Sequence, residues 1–66
     1  MKPFKGTIEQ WEEVYSKKGS LQIHGVIKDE DTGTWCDITT SKVIEQAASC
    51  VTTRNSMYKL GIKFAL

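Results

Sequence analysis

Chemistry-bearing residues are scarce in this chain. It has one proline, one histidine and two cysteines in 66 residues. With His24 alone and no C-x-x-C pair, a tetrahedral zinc site cannot be assembled from histidine and cysteine. A hydrolytic triad fails for the same reason, because no serine or cysteine stands at a telling distance from His24. No glycine loop of the phosphate-cradling kind is present. No run approaches the roughly 18 consecutive apolar residues that a membrane span needs. The opening Met1-Lys2-Pro3-Phe4-Lys5-Gly6 lacks the apolar core of a signal peptide, so the chain is expected in the cytoplasm, with reduced thiols. Charge of one sign is lacking too. The formal net charge is +1, so no overall field draws the chain to nucleic acid or membrane. These absences lead us to expect no catalytic residue, metal or cofactor, and one small domain over residues 1–66.

Hydrophobic rhythm is present, and it is strongest near the C-terminus. Tyr58, Leu60, Ile62 and Phe64 alternate with Met57, Lys59, Gly61 and Lys63. Successive strand side chains project to opposite faces, so this stretch reads as a half-buried strand. Before it, Cys50-Val51-Thr52-Thr53-Arg54 is rich in β-branched residues. Asn55-Ser56 between the two suits a tight hairpin turn.

Nearer the N-terminus the spacing changes. Thr7 and Gln10 fit a capping box, and Ile8, Trp11, Val14 and Tyr15 recur at helical intervals. Glu9, Glu12 and Glu13 suit the start of such a helix, Lys17 and Lys18 its end, and Gly19 its closure. The pattern predicts a helix over about residues 8–18, with Trp11 as its anchor in the core. Residues 20–65 read as β-rich. Leu21–Lys28 forms a strand in which Gly25 marks a bulge or a close backbone approach. Asp29-Glu30-Asp31-Thr32-Gly33 is a turn, and Thr34–Thr40 returns to complete a hairpin. Residues 41–49 admit two readings. Val43, Ile44, Ala47 and Ala48 fit a helical stripe, which would give an α-β-β-α-β chain with a three-stranded antiparallel sheet. Ser41–Glu45 also reads as a short strand followed by a turn.

Trp35 with Thr39-Thr40-Ser41-Lys42-Val43, then Val51-Thr52-Thr53-Arg54-Asn55-Ser56-Met57-Tyr58-Lys59-Leu60-Gly61, resembles a pattern in short uncharacterised phage and prophage accessory proteins. In these a glycine-rich strand leads to a tryptophan and a T-S-x-V segment, and a V-x-T-R-N-S-x-Y-x-L-G hairpin follows. The resemblance covers about residues 25–61, and Ala47-Ala48 departs from it. It implies a strand over Lys42–Glu45. The expected fold is then α+β and mainly β, with the N-terminal helix packed on a small antiparallel sheet or five-stranded SH3-like barrel. It also implies a mobile-element origin and a host protein or complex as partner. Anti-CRISPR-type inhibitors are the model for such a role, in the host-cell cytoplasm.

Two surfaces are candidates for that work. Glu9, Glu12 and Glu13 on the helix, with Asp29, Glu30 and Asp31 at the turn, form an acidic surface that could imitate a row of phosphates before a basic groove. Arg54, Lys59 and Lys63 on the C-terminal hairpin, extended by Lys28 and Lys42, form the alternative, a basic site for single-stranded nucleic acid. Phe64-Ala65-Leu66 would dock into the core or across a homodimer. Cys36 and Cys50 are expected as small buried hydrophobes.

Overall fold

A computed structural model describes residues 3–64, and among them no helix forms. Six strands run in order: β1 (Phe4–Tyr15), β2 (Leu21–Lys28), β3 (Trp35–Thr39), β4 (Val43–Gln46), β5 (Cys50–Thr53) and β6 (Met57–Leu60). They lie in one mixed sheet in the order β3-β2-β1-β6-β5-β4. The fold is two antiparallel meanders, β1-β2-β3 and β4-β5-β6, fused where β1 and β6 pair in parallel. This corrects both expected architectures, since each contained a helix and a purely antiparallel sheet. It is an all-β domain.

The expected helix over residues 8–18 is instead most of β1, and its helical spacing has a specific cause. β1 carries two bulges. Against β6 the register slips between Phe4 and Thr7, and against β2 it slips between Glu9 and Glu12. In each case one extra residue enters β1. Gly6 (φ 128°) and Gln10 (φ 50°) take up the left-handed backbone at these points. An inserted residue switches which face the following side chains point to. Ile8 and Trp11 therefore share the inner face at a spacing of three, which imitates a helical stripe. Beyond Trp11 the imitation fails, because Val14 is only half buried and Tyr15 is 69% exposed.

Gly25 lies opposite the second bulge, where β1 approaches β2 most closely. A Cβ on it would meet Ile8 Cγ2 at 2.6 Å, Glu9 O at 2.7 Å and Trp11 Cα at 3.1 Å. Two of those atoms are backbone and cannot step aside. Gly19 (φ 81°) is left-handed as expected of it, but it closes the β1–β2 hairpin and not a helix. Its N–H donates to Ser16 O, and Ser16 N–H donates to Ser20 O.

The chain connection forces the sheet to curl. β3 and β4 are the two edges, five strand spacings apart, or roughly 24 Å if the sheet were flat. Thr40, Ser41 and Lys42 alone join them, and the path from Thr39 to Val43 spans at most about 14 Å. The edges must therefore fold towards each other. Thr40 pins this corner. It is 3% exposed, its N–H donates to Ile23 O, and its hydroxyl accepts from Ile23 N–H and donates to Ser41 O. On the far side, Arg54 N–H donates to Lys42 O, and Asn55 Nδ2 donates to Ser41 Oγ. Residues 43–46 are strand β4, followed by a turn in which Ala47 N–H donates to Cys50 O, so the helical reading of residues 41–49 does not hold.

Ile8, Trp11, Ile23, Val51 and Leu60 fill the inside of the curl, with Ile27, Ile38, Val43 and Tyr58 around them. The C-terminal rhythm is kept only in part. Tyr58 and Leu60 face inward, but Ile62 is 76% and Phe64 44% exposed. β6 ends at Leu60, and the chain then follows β1 past its second bulge. Gly61 N–H donates to Ile8 O, Trp11 N–H to Ile62 O and Phe64 N–H to Trp11 O. The parallel bridge Trp11↔Lys63 places Lys63, and not its neighbours, on the Trp11 side. The bulge that turns β1 over also turns over the tail beside it. Ala65 and Leu66 lie outside the described residues. Among those residues no helix is long and apolar enough to cross a membrane.

Two substitutions separate the simple alternation from this arrangement. Leu60→Ala should cost about 2–5 kcal/mol in urea unfolding. Ile62→Ala should cost no more than about 0.5 kcal/mol, although strict alternation would put both residues in the core.

Candidate functional site

The acidic set does not gather on one face. Glu9 is structural: its Oε1 accepts the Ile62 N–H at 2.6 Å and so ties the tail to β1. A Cβ on Gly61 would collide with that carboxylate. Glu12 pairs in register with His24, and Glu13 with Ile23, so these neighbours project to opposite sides of the sheet. Without the helix, Glu9, Glu12 and Glu13 form no joint acidic stripe.

Asp29, Glu30 and Asp31 are exposed at the β2–β3 tip, as expected of a solvated turn. The turn is closed from within. Asp29 N–H donates to Thr34 O, Gly33 N–H to Asp29 O, and Asp31 N–H to Asp29 Oδ1. Among the described residues, no group of three or more His, Cys, Asp or Glu side chains is placed to hold a metal.

The basic set is also dispersed. Arg54 is on the β5–β6 turn, where it lines a shallow depression with Lys42, Val43 and Ile44. Lys59 is exposed on β6 opposite Thr7, on the side away from Leu60. The Lys63 ammonium is 5.2 Å from the Trp11 ring centroid, a cation–π contact. The β5–β6 turn itself is held by Thr53, whose hydroxyl donates to Ser56 O and accepts from Ser56 N–H.

The structure brings together a different group. On the outer side of β2–β3, the register sets Trp35 beside Lys28, Asp37 beside Val26 and Thr39 beside His24. His24 Nδ1 and Thr39 Oγ1 are in hydrogen-bond contact at 2.9 Å. Glu12, His24, Asp37 and Phe64 line one depression around Val26, and Trp35 and Gln10 line another that adjoins it. Trp35 is 52% exposed. This side therefore has an apolar centre of Trp35, Val26 and Phe64, with carboxylates at its border. On the inner side, Ile27, Cys36, Ile38 and Tyr58 form the apolar floor of an open groove, bordered by Lys5 and the acidic turn. Cys36 and Cys50 are both free. Cys36 is exposed and Cys50 half buried, so neither is the fully buried residue expected.

Trp35, Asp37 and Thr39 were open to recognition from sequence. Cys36-Asp37-Ile38-Thr39 alternates apolar and polar, which separates the two faces, and Trp35 falls on the Asp37 face by the two-residue period. Nothing in the sequence, however, announces that Phe64 joins them, because that depends on the bulge in β1. No family model, curated protein or solved structure matches the chain.

Glu9→Ala should cost about 0.5–1.5 kcal/mol, by removing the acceptor of the Ile62 N–H, an exposed bond that water can partly replace. Glu13→Ala should cost no more than about 0.5 kcal/mol. Urea denaturation of the two variants checks the difference.

Proposed function

We propose that this chain is a non-enzymatic binding protein of phage or mobile-element origin that occupies, and so inhibits or modulates, a protein in the cytoplasm of its host. Its most concrete form is an anti-CRISPR-type inhibitor of a nucleic-acid-processing defence complex. The observation that carries the reading is the outer side of β2–β3, where Trp35 stands 52% exposed beside Val26, which a second depression shares with Phe64. A fold with so thin a core gains by burying a tryptophan, and this one holds it in solvent. Protein interfaces have this anatomy, an apolar aromatic centre within a polar border, and tryptophan is prominent among the residues that dominate their energy. Asp37 and Glu12 make the border around Val26 acidic, with Lys28 beside Trp35 beyond it, and that acidic stretch matches the basic grooves of enzymes that handle nucleic acid.

The acidic surface in this reading consists of Glu12 and Asp37, with the Asp29–Asp31 turn bordering the inner groove on the other side and Glu9 withdrawn to a structural role. The single-strand nucleic-acid reading draws little support from geometry, since Arg54, Lys59 and Lys63 are dispersed over the β5–β6 turn, the outer side and the inner side, and the aromatic ring beside Lys63 is the buried Trp11.

Tagged wild-type protein and Trp35→Ala, exposed to lysate of a bacterial host, test the proposal. The wild type should enrich one protein or complex at least about tenfold over Trp35→Ala, the scale of a hot-spot residue. Nuclease treatment of the lysate should leave that enrichment intact. The same proteins captured by both variants, or enrichment lost on nuclease treatment, would overturn the proposal.

A further inference from the structure

β3 is an open edge whose main chain is aimed at solvent. Its ladder with β2 is bracketed by two hydrogen bonds, Asp29 N–H to Thr34 O at 2.8 Å and Thr40 N–H to Ile23 O at 2.9 Å. Between them the register runs from Lys28↔Trp35 to His24↔Thr39 without a break. Bonded and non-bonded pairs alternate in an antiparallel ladder. The bonded pairs are therefore Ile27–Cys36 and Gly25–Ile38, and Trp35, Asp37 and Thr39 turn their N–H and C=O groups away from β2. Among the described residues no strand lies on that side.

Edge strands are commonly protected by a bulge, a proline, a charge or shortness. β3 is five residues long and unbulged, without proline or lysine, and its one charge is Asp37. The opposite edge is blunted, because β4 slips register between Val43 and Glu45.

The side chains of β3 specify what could lie beside it. Those on the outer side are Trp35, Asp37 and Thr39. An aromatic face and a carboxylate both favour a cationic neighbour, and because Lys28 stands cross-strand from Trp35, Asp37 is the main point of that attraction. Those on the inner side are Cys36 and Ile38, which continue into the apolar floor with Ile27 and Tyr58. A strand beside β3 presents its side chains alternately to these two sides. A second copy of β3 is a poor occupant, since antiparallel pairing about its centre would oppose Asp37 to Asp37.

We infer that β3 receives an extended partner segment in which basic and apolar residues alternate, added to the sheet as a further strand. The inference rests on the protein-binding reading above and names its mode. Main-chain hydrogen bonds to Trp35, Asp37 and Thr39 hold the segment, its basic residues lie over Trp35 and Asp37, and its apolar residues enter the inner groove. Strand addition of this type draws affinity from the main chain and specificity from alternate side chains.

The test uses a peptide of about eight residues, a typical strand length, with lysine and valine alternating. It is titrated into isotope-labelled protein and followed by NMR. The amide protons of Trp35, Asp37 and Thr39 should shift and exchange more slowly. Versions N-methylated at either set of alternate residues test main-chain pairing, and the set that faces β3 should abolish binding. Asp37→Lys should weaken the lysine–valine peptide and strengthen a glutamate–valine peptide, each by about tenfold. Asp37→Asn should only weaken the first. Spectral dispersion of both variants confirms folding. Equal binding of all N-methylated versions, shifts away from β3, or no binding at millimolar peptide would overturn the inference. Should the peptide fail while Trp35-dependent capture persists, strand addition is lost and the face-binding proposal stands. Should the peptide bind while capture ignores Trp35, the reverse holds.

Discussion

The structure depends on one strand that has to pair on both sides with partners of opposite sense. β1 lies antiparallel to β2 and parallel to β6. Twelve residues running between two partners around a core this small must also bend with the curl of the sheet. The two bulges at Gly6 and Gln10 bend β1 and turn its face over, so that Ile8 and Trp11 both reach the interior. A non-glycine residue in the left-handed region is unfavourable by about 1–2 kcal/mol. Gln10 is held there by what surrounds it: Ile8 and Trp11 are buried on either side, and Gly25 leaves room opposite. The Trp11 indole N–H donates to Gly61 O at 3.0 Å, which fastens the bend to the C-terminal meander.

Closure of the curl follows from the same economy of chain. Three residues at the Thr40 corner draw the two meanders together, and the core fills the space between them. The surfaces follow in turn. The bend releases Ile62 and Phe64 to the outside and brings Phe64 next to Val26, on the same side as Trp35. The single element that departs most from regular geometry thus accounts both for the burial of the core and for the apolar patch outside it.

Legibility in the sequence varied with the regularity of the backbone. Leu21–Lys28, Trp35–Thr39 and Cys50–Leu60 show plain two-residue rhythms or β-branched runs, and these strands stand where the rhythm put them. Gly25 was readable as a point of close approach, and the backbone of β1 is what approaches it. β1 was not readable, because a bulge between Ile8 and Trp11 produces the three-residue step of a helix turn, and Thr7, Gln10 and Gly19 happen to fit helix ends. The misreading carried the site with it. Glu9, Glu12 and Glu13 share a face only if the segment is helical, and on a bulged strand one of them is consumed by the Ile62 N–H while the other two part. The tail misled for a related reason, since Ile62 and Phe64 continue an alternation that the chain abandons at Gly61. The parallel β1–β6 pairing joins the two ends of the chain, and no local pattern reports it.

The central claim is that residues 4–15 are one extended strand bent at Gly6 and Gln10, paired on both flanks. NMR of the labelled protein tests it most directly. The account predicts strong sequential Hα–HN contacts along this segment, interrupted at Gln10 by the strong intraresidue HN–Hα contact of a positive φ, together with cross-strand contacts from Ile8 to both Ile27 and Leu60. An unbroken series of sequential HN–HN contacts from Ile8 to Lys18, with no contact between Ile8 and Leu60, would contradict it.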